Sequence, residues 1–367
     1  MRILFVNHSS YLSGATISCL NLMAGLGEDV VPVFVTREDG PIMEKLRGSG
    51  IDWYILQKKG LLGINYIISF LKILQSEKID LVHLNTLTPF CKYAGIASYL
   101  KRIPVVWVVR ENPLISRSRR LKFWLQKLAN RIVFVDNDTR KKLLSGGINN
   151  TDIIYNGVDT DIFRPVKSDY LFERFNIDKN TKLIGYIGMI TERKGLEYLI
   201  KSLPLIKGES DNFKLVIVGG HKPGDVKYFS ELKKLIKHLS LEDDIFFTGL
   251  LPDVRAALNS LDIVVLPSLE ERCSRTLLES LACEKAVVAT RVGGTPEIIE
   301  DRINGILIES ADEKQIAGAV MQLLRNSDLR RRLGTNGRLK AERMFDLKCH
   351  REKMKKLYLE IVERQWD

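Results

Sequence analysis

Short, near-continuous runs of β-branched and other apolar residues recur along the chain, separated by stretches whose apolar positions fall at helical spacing. The runs predict strands at 2–7, 31–36, 81–85, 105–109, 131–135 and 152–155, and again at 183–187, 214–218, 245–247, 263–266, 286–289 and 305–308. They lack the period-two alternation of a half-solvated sheet, as parallel strands covered on both faces should. Between them the spacing predicts helices at 16–26, 66–76, 92–100, 196–203, 228–239, 276–282 and 312–325. Alternation of this kind specifies an α/β protein with doubly wound parallel sheets. Six runs in each half predict two Rossmann-like domains facing a central cleft, 1–165 and 166–345. The stretch 338–367 has no strand signal and is rich in Lys, Arg, Glu and Leu. It reads as one or two amphipathic helices, with 346–367 packing back on the first domain.

Length and composition narrow the class. A chain of 367 residues exceeds one ordinary core, and 45% hydrophobic residues exclude disorder. The longest apolar run, 61–71, already holds Gly63 and Asn65 and stops at Lys72, so no membrane-spanning helix is expected. Met1-Arg2 lead straight into the first strand, too short for a signal peptide. The five cysteines (Cys19, Cys91, Cys273, Cys283, Cys349) show no C-x-x-C spacing and read as reduced thiols of a cytoplasmic protein. Charge adds an asymmetry. The chain holds 56 basic and 45 acidic residues, a net +11, and residues 1–165 hold 22 basic against 14 acidic. A basic first half beside a nearly neutral second half suits an anionic partner, although solubility alone also explains surface charge.

Chemistry in open α/β sheets gathers in the loops after the strands. The run at 263–266 is followed by Pro267-Ser268-Leu269-Glu270-Glu271-Arg272-Cys273-Ser274-Arg275-Thr276-Leu277-Leu278-Glu279. Glu271 falls on the loop and Glu279 about two turns further along, placed to hold different hydroxyls of one extended polar ligand. A solvated helix face would account for either glutamate singly. The run at 183–187 leads into Gly188-Met189-Ile190-Thr191-Glu192-Arg193-Lys194-Gly195, two adjacent cations before a helix start. Cations there oppose the helix dipole, and a bound diphosphate would resolve the conflict. A third small-residue turn, Ser9-Ser10-Tyr11-Leu12-Ser13-Gly14-Ala15, follows the first strand and lets backbone N–H groups approach a phosphate. Neither G-x-G-x-x-G nor a P-loop is present, which leaves nicotinamide and ATP P-loop chemistry without support.

In this order the three stretches resemble the GT-B retaining glycosyltransferases of the "group 1", family 4-like type. Ile154-Tyr155-Asn156-Gly157-Val158-Asp159, Phe247-Thr248-Gly249 with Asp262, and Gly293-Gly294-Thr295-Pro296-Glu297 extend the resemblance over nearly the whole chain. The resemblance implies a hexosyltransferase using a nucleotide-diphosphate sugar, with no cofactor and no metal. It implies catalytic roles for Glu271, Arg193 and Lys194. Donor binding falls to Gly14, Gly188, Arg193, Lys194, Glu271, Ser274, Arg275, Thr276 and Glu279, with Glu279 on the ribose and Glu271 at the sugar. The acceptor, a glycan or lipid-pyrophosphate-linked sugar, falls to the N-terminal domain, with His8, Ser13, Arg110, Glu111 and Asn112 as candidates. Cytoplasmic assembly of a surface polysaccharide is the expected setting. A nucleotide-sugar epimerase or a catalytically silent binding subunit on the same fold are the alternatives.

Two positions depart from the family pattern. Arg272-Cys273 stand where most members have Gly-Phe, and no histidine follows Val105-Val106-Trp107-Val108-Val109, where Arg110 and Glu111 are the nearest polar groups. Asp136-Asn137-Asp138 is a D-x-D of the kind that carries a divalent metal in GT-A enzymes, but Asp138 before Thr139 reads better as a helix cap. Of the histidines, His8 and His83 are candidates to touch acceptor, while His238 and His350 read as surface helix residues. Residues 101–131 hold nine basic side chains, Arg117, Arg119, Arg120 and Lys122 among them, against one acidic. Leu121, Trp124, Leu125 and Leu128 form an apolar stripe there, so this stretch suits an anionic membrane surface or a lipid pyrophosphate, not nucleic acid.

Overall fold

The structure is a computed structural model that describes residues 1–11, 13–57, 63–110, 119–144, 149–209 and 212–364. Thirteen strands form two all-parallel sheets among these residues. In the first, β1 (Arg2–Val6), β2 (Val31–Thr36), β3 (Asp52–Ile55), β4 (Leu81–Leu84), β5 (Val105–Val109), β6 (Arg131–Phe134) and β7 (Thr151–Ile153) lie in the order 3-2-1-4-5-6-7. In the second, β8 (Lys182–Ile187), β9 (Phe213–Val218), β10 (Ile245–Gly249), β11 (Ile263–Leu266), β12 (Ala286–Thr290) and β13 (Ile306–Ile308) lie in the order 10-9-8-11-12-13. Each order reverses once, between β1 and β4 and between β8 and β11. Those are the switch points where such sheets open a crevice.

The continuous apolar runs correspond to strands covered on both faces. Val105–Val109 and Ile263–Leu266 are buried at every position, and Trp107 and Tyr186 are among the largest fully buried side chains. The strand β3 was not foreseen from the sequence. It is an edge strand, begins at Asp52 and is nowhere fully buried, so it lacks the apolar run that marks the others.

The chain divides into one unit of Met1–Gly157 with Leu347–Asp367 and another of Val158–Asp346. The break lies ahead of Pro165, where the count of strands had placed it. The reason is hydrogen bonding: Val158 N donates to Phe345 O at 2.8 Å, and Arg338 Nη1 donates to Thr160 O (3.0 Å) and Phe163 O (2.7 Å). These bonds tie the residues before Pro165 to the second unit. The C-terminal stretch is two helices with different allegiances. Ser327–Met344 packs on the second unit, and Leu347–Glu363 packs within the first. There Arg351 donates to Asn21 O from Nε (2.8 Å) and Nη2 (2.7 Å), and Lys355 pairs with Asp29 at 2.8 Å. No helix among the described residues is long and apolar enough to cross a membrane.

Candidate active site

In the second unit the loops after β8 and β11 meet at the switch point. After β8, Tyr186 OH donates to Met189 O at 2.8 Å and holds the turn beyond Gly188. Glu192–Lys194 then form a single 3₁₀ turn, and Gly195, at φ 63°, starts the helix Leu196–Lys207. A Cβ on Gly195 would stand 2.1 Å from Pro267 O, so only glycine lets the two loops touch. The β11 loop docks on the same turn, with Leu269 N and Glu270 N donating to Arg193 O at 2.8 and 3.3 Å.

This clasp brings Lys194 Nζ onto Glu271 Oε2 as a mostly buried ion pair. Ser268 Oγ also donates to that oxygen at 3.2 Å, and Arg272 N donates to Oε1 at 3.3 Å. Burial would raise the Glu271 pKa, but the charge and hydrogen bond of Lys194, the charge of Arg193 and the Arg272 amide outweigh it. Glu271 is therefore held below the usual carboxylate range and is an anion, not a proton donor, at neutral pH. Gly293 supports the loop from behind: its φ is 54° and a Cβ there would stand 1.8 Å from Glu271 O.

The helix Arg275–Ala282 follows directly. Ser274 caps it, accepting from Leu277 N, and Thr276 O accepts from Ser280 Oγ at 2.7 Å. Glu279 is buried and pairs with Arg275 Nη2 at 2.6 Å. Burial outweighs Arg275 here, so the Glu279 pKa lies above its ordinary value. The two glutamates thus differ in character although both are buried carboxylates with one cation each. Arg193 is exposed beside them.

The first unit gathers polar groups at its own switch point. Asn85 Nδ2 donates to Asn7 Oδ1 (2.9 Å) and Ala15 O (3.1 Å), and Asn7 Nδ2 donates to Thr16 Oγ1 (3.1 Å). Arg110, at the end of β5, donates to Asn85 Oδ1 at 3.0 Å and also to Asn156 Oδ1, so it is built into this network. Ser13 is an N-cap: its hydroxyl accepts from Thr16 N at 3.2 Å, which starts the helix at Gly14. His8 Nδ1 lies 3.1 Å from Thr86 Oγ1. Glu111, Asn112 and Arg117, and the side chains of Arg119 and Arg120, lie outside the described residues.

Several expectations are corrected. His83 is wholly buried on β4, with Nδ1 2.7 Å from Tyr358 OH, and cannot reach an acceptor. His350 is buried rather than on the surface, with Nδ1 2.7 Å from Tyr155 O. Burial depresses both, to about 3 for His83 and about 4 for His350, so each is neutral at physiological pH. In the D-x-D stretch the cap is Asp136, not Asp138. Asp136 accepts from Thr139 N (2.6 Å) and Thr139 Oγ1 (2.9 Å), while Asp138 pairs with Lys142 at 2.5 Å. Asp262 holds the start of β8, accepting from Leu183 N (2.9 Å) and Lys182 Nζ (3.0 Å). Ser268 was missed by sequence reasoning, and a serine two residues past a buried strand carries no distinctive signal.

Comparison with known proteins shows the family. The family model for glycosyl transferases group 1 matches residues 168–340, and that for glycosyltransferase family 4 matches residues 12–162. An uncharacterized glycosyltransferase of Methanocaldococcus jannaschii is 27% identical over 78% of this chain and 78% of its own. The N-acetyl-alpha-D-glucosaminyl L-malate synthase of Bacillus anthracis is 25% identical over 75% of this chain and 73% of its own. The fold is also that of Anabaena HepE crystallised with UDP, with a TM-score of 0.88 and 22% identity over 97% of this chain and 99% of that one. Its two parallel sheets match GT-B glycosyltransferase structures, and each half is matched by a model from that group. The chain therefore belongs to the group 1, family 4-like glycosyltransferases.

Proposed function

We propose that this enzyme moves a sugar from a nucleotide-diphosphate sugar to a glycan or lipid-pyrophosphate-linked acceptor, with retention of configuration and without a metal ion. The setting we propose is assembly of a surface polysaccharide in the cytoplasm, at the inner face of the membrane. The observation that carries the reading is the Lys194–Glu271 pair, clasped at the switch point of the second sheet with Arg193 beside it.

As the sugar–phosphate bond breaks, negative charge grows on the departing nucleoside diphosphate and positive charge on the anomeric carbon. Arg193 and Lys194 are the cations offered where the first charge develops, and their attraction to it lowers the barrier. Glu271, kept ionised by its neighbours, favours the cationic sugar and takes its hydroxyls. Glu279 takes the ribose hydroxyls. The acceptor falls to the first unit, where His8 and Arg110 are the polar groups offered. The relatives support this chemistry through their names, and HepE through its UDP complex.

The test is donor turnover in excess chelator, which should persist, alongside Lys194→Ala, which should lower turnover on the order of a hundredfold or more. Turnover abolished by chelator and restored by manganese would refute the reading.

Peripheral membrane contact is supported by exposed Tyr99, Leu100 and Phe123 on the helices Pro89–Lys101 and Arg119–Leu128. Lys127 Nζ lies 5.0 Å from the Tyr99 ring centroid, and Lys101 and Arg102 are exposed nearby in sequence. Each cation near an anionic bilayer contributes about 1 kcal/mol. Charge reversal of Lys101, Arg102 and Lys127 should abolish sedimentation with phosphatidylglycerol vesicles. Unchanged sedimentation would remove this surface.

A further inference from the structure

We infer that the sugar this enzyme transfers is acidic, and that Arg272 is the residue that reads its carboxylate. The inference rests on the nucleotide-sugar reading of the second unit and names the substrate class within it.

Charge pairing around the two glutamates leads there. Four cations stand on the loops after β8 and β11 and the helix that follows: Arg193, Lys194, Arg272 and Arg275. Lys194 pairs with Glu271 and Arg275 with Glu279. Arg193 and Arg272 make no ion pair among the described residues. Arg193 neighbours Lys194 on the 3₁₀ turn, and the two together suit a diphosphate. Arg272 belongs to the other loop, directly after the glutamate assigned to the sugar.

The setting of Arg272 is unusual for a structural arginine. Its Nη1 donates to Glu271 O at 2.9 Å, a neutral carbonyl. The side chain is half-buried, and Nε is buried with no partner. Desolvating a guanidinium against one neutral acceptor is unfavourable unless an anion completes it. The same bond to Glu271 O orients the guanidinium plane beside the loop that Gly293 backs. A planar fork so fixed matches a carboxylate, which it can grip through two parallel N–H bonds. A diphosphate already has Arg193 and Lys194, so the anionic group left for Arg272 is on the sugar. The donor class is a nucleotide-linked uronic acid or similarly carboxylated sugar.

The experiment titrates the purified full-length protein with UDP and GDP, with their neutral hexose derivatives, and with the matching uronic acid derivatives. With the accepted base, the wild type should bind the uronic acid donor about tenfold or more tightly than the neutral one. Arg272→Gln, which removes the charge and the guanidinium fork but keeps a polar amide donor, should erase that preference and leave affinity for the bare nucleoside diphosphate unchanged. Equal or tighter wild-type binding of the neutral donor would overturn the inference while leaving the nucleotide-sugar reading intact. So would Arg272→Gln weakening bare diphosphate as much as the uronic acid donor, because the guanidinium would then be reading phosphate. The wild-type preference requires no variant to fold. Failure to bind any of the nucleotides would overturn the nucleotide-sugar reading, and this inference with it.

Discussion

Removing Lys194 tests the clasp at the switch point as a stability element as well as a catalytic one. In Lys194→Ala the Glu271 carboxylate, 11% exposed, keeps only the Ser268 hydroxyl at 3.2 Å and the Arg272 amide at 3.3 Å. Both are near the long limit of useful hydrogen bonds. Breaking a buried pair by deleting one partner costs about 3–5 kcal/mol. Water entering the space left by the lysine stem favours the lower end. For a unit of this size the loss lowers Tm by roughly 6–12 °C. The pH dependence identifies the cause. In the wild type the Glu271 pKa is depressed, so its contribution is present above the unfolded-state pKa and is lost as pH falls through the folded one. In the variant, burial acts without its main counterweight and raises the pKa. The penalty is then full at neutral pH and is relieved as Glu271 takes up a proton. The difference in stability between the two proteins should shrink between pH 7 and pH 4, measured by urea denaturation with a probe in the second unit. A difference below about 0.5 kcal/mol, or one that does not change with pH, would refute the reasoning and reduce the lysine to surface packing.

The two glutamates should separate by assay: Glu279→Ala weakens bare nucleoside diphosphate by about 1.5–3 kcal/mol, whereas Glu271→Ala spares that affinity and depresses sugar transfer. Because the Glu279 pKa is raised, diphosphate affinity should fall on acidification at a pH above the ordinary carboxylate range, and Glu279→Gln should remove that inflection in calorimetric titrations. Asp136→Ala loses a helix cap and about 0.5–2 kcal/mol of stability, with the response of turnover to chelator unchanged. Gly293→Ala forces a β carbon against Glu271 O at positive φ, costs about 1–3 kcal/mol and lowers sugar transfer by displacing the Glu271 loop; normal transfer by this variant would show the loop to be tolerant.

What the sequence revealed follows the physics of each feature. Strands such as Val105–Val109 and Ile263–Leu266 announce themselves because both faces are covered and every position is apolar. The edge strand Asp52–Ile55 is half solvated and carries no such run. Glu271, Arg193 and Lys194 were legible as charged groups in loops after strands, but their contact was not, since 77 residues separate the lysine from the glutamate. Histidines were placed poorly because one residue type serves both surface and core. His350 does lie on the buried face of its helix, with Leu347, Met354, Leu357, Tyr358 and Ile361, and that spacing was readable. The cap moved from Asp138 to Asp136 because the helix begins at Asn137, and boundaries depend on which side chain reaches back.

The return of Leu347–Glu363 to the first unit has a consequence for synthesis. The bonds that seat it join residues far apart in sequence: 330 for Arg351 to Asn21, 326 for Lys355 to Asp29 and 275 for Tyr358 to His83. A nascent chain emerging at about 5–20 residues per second offers the whole second unit, which is continuous in sequence, before the first can be completed. Until then the first sheet waits with Phe5, His83 and the face that Tyr358 will cover open to solvent. The first unit is therefore sealed only when Leu347–Glu363 docks. Losing that helix to early termination or proteolysis would leave the second unit intact and the first a sticky, half-built sheet for chaperones to manage.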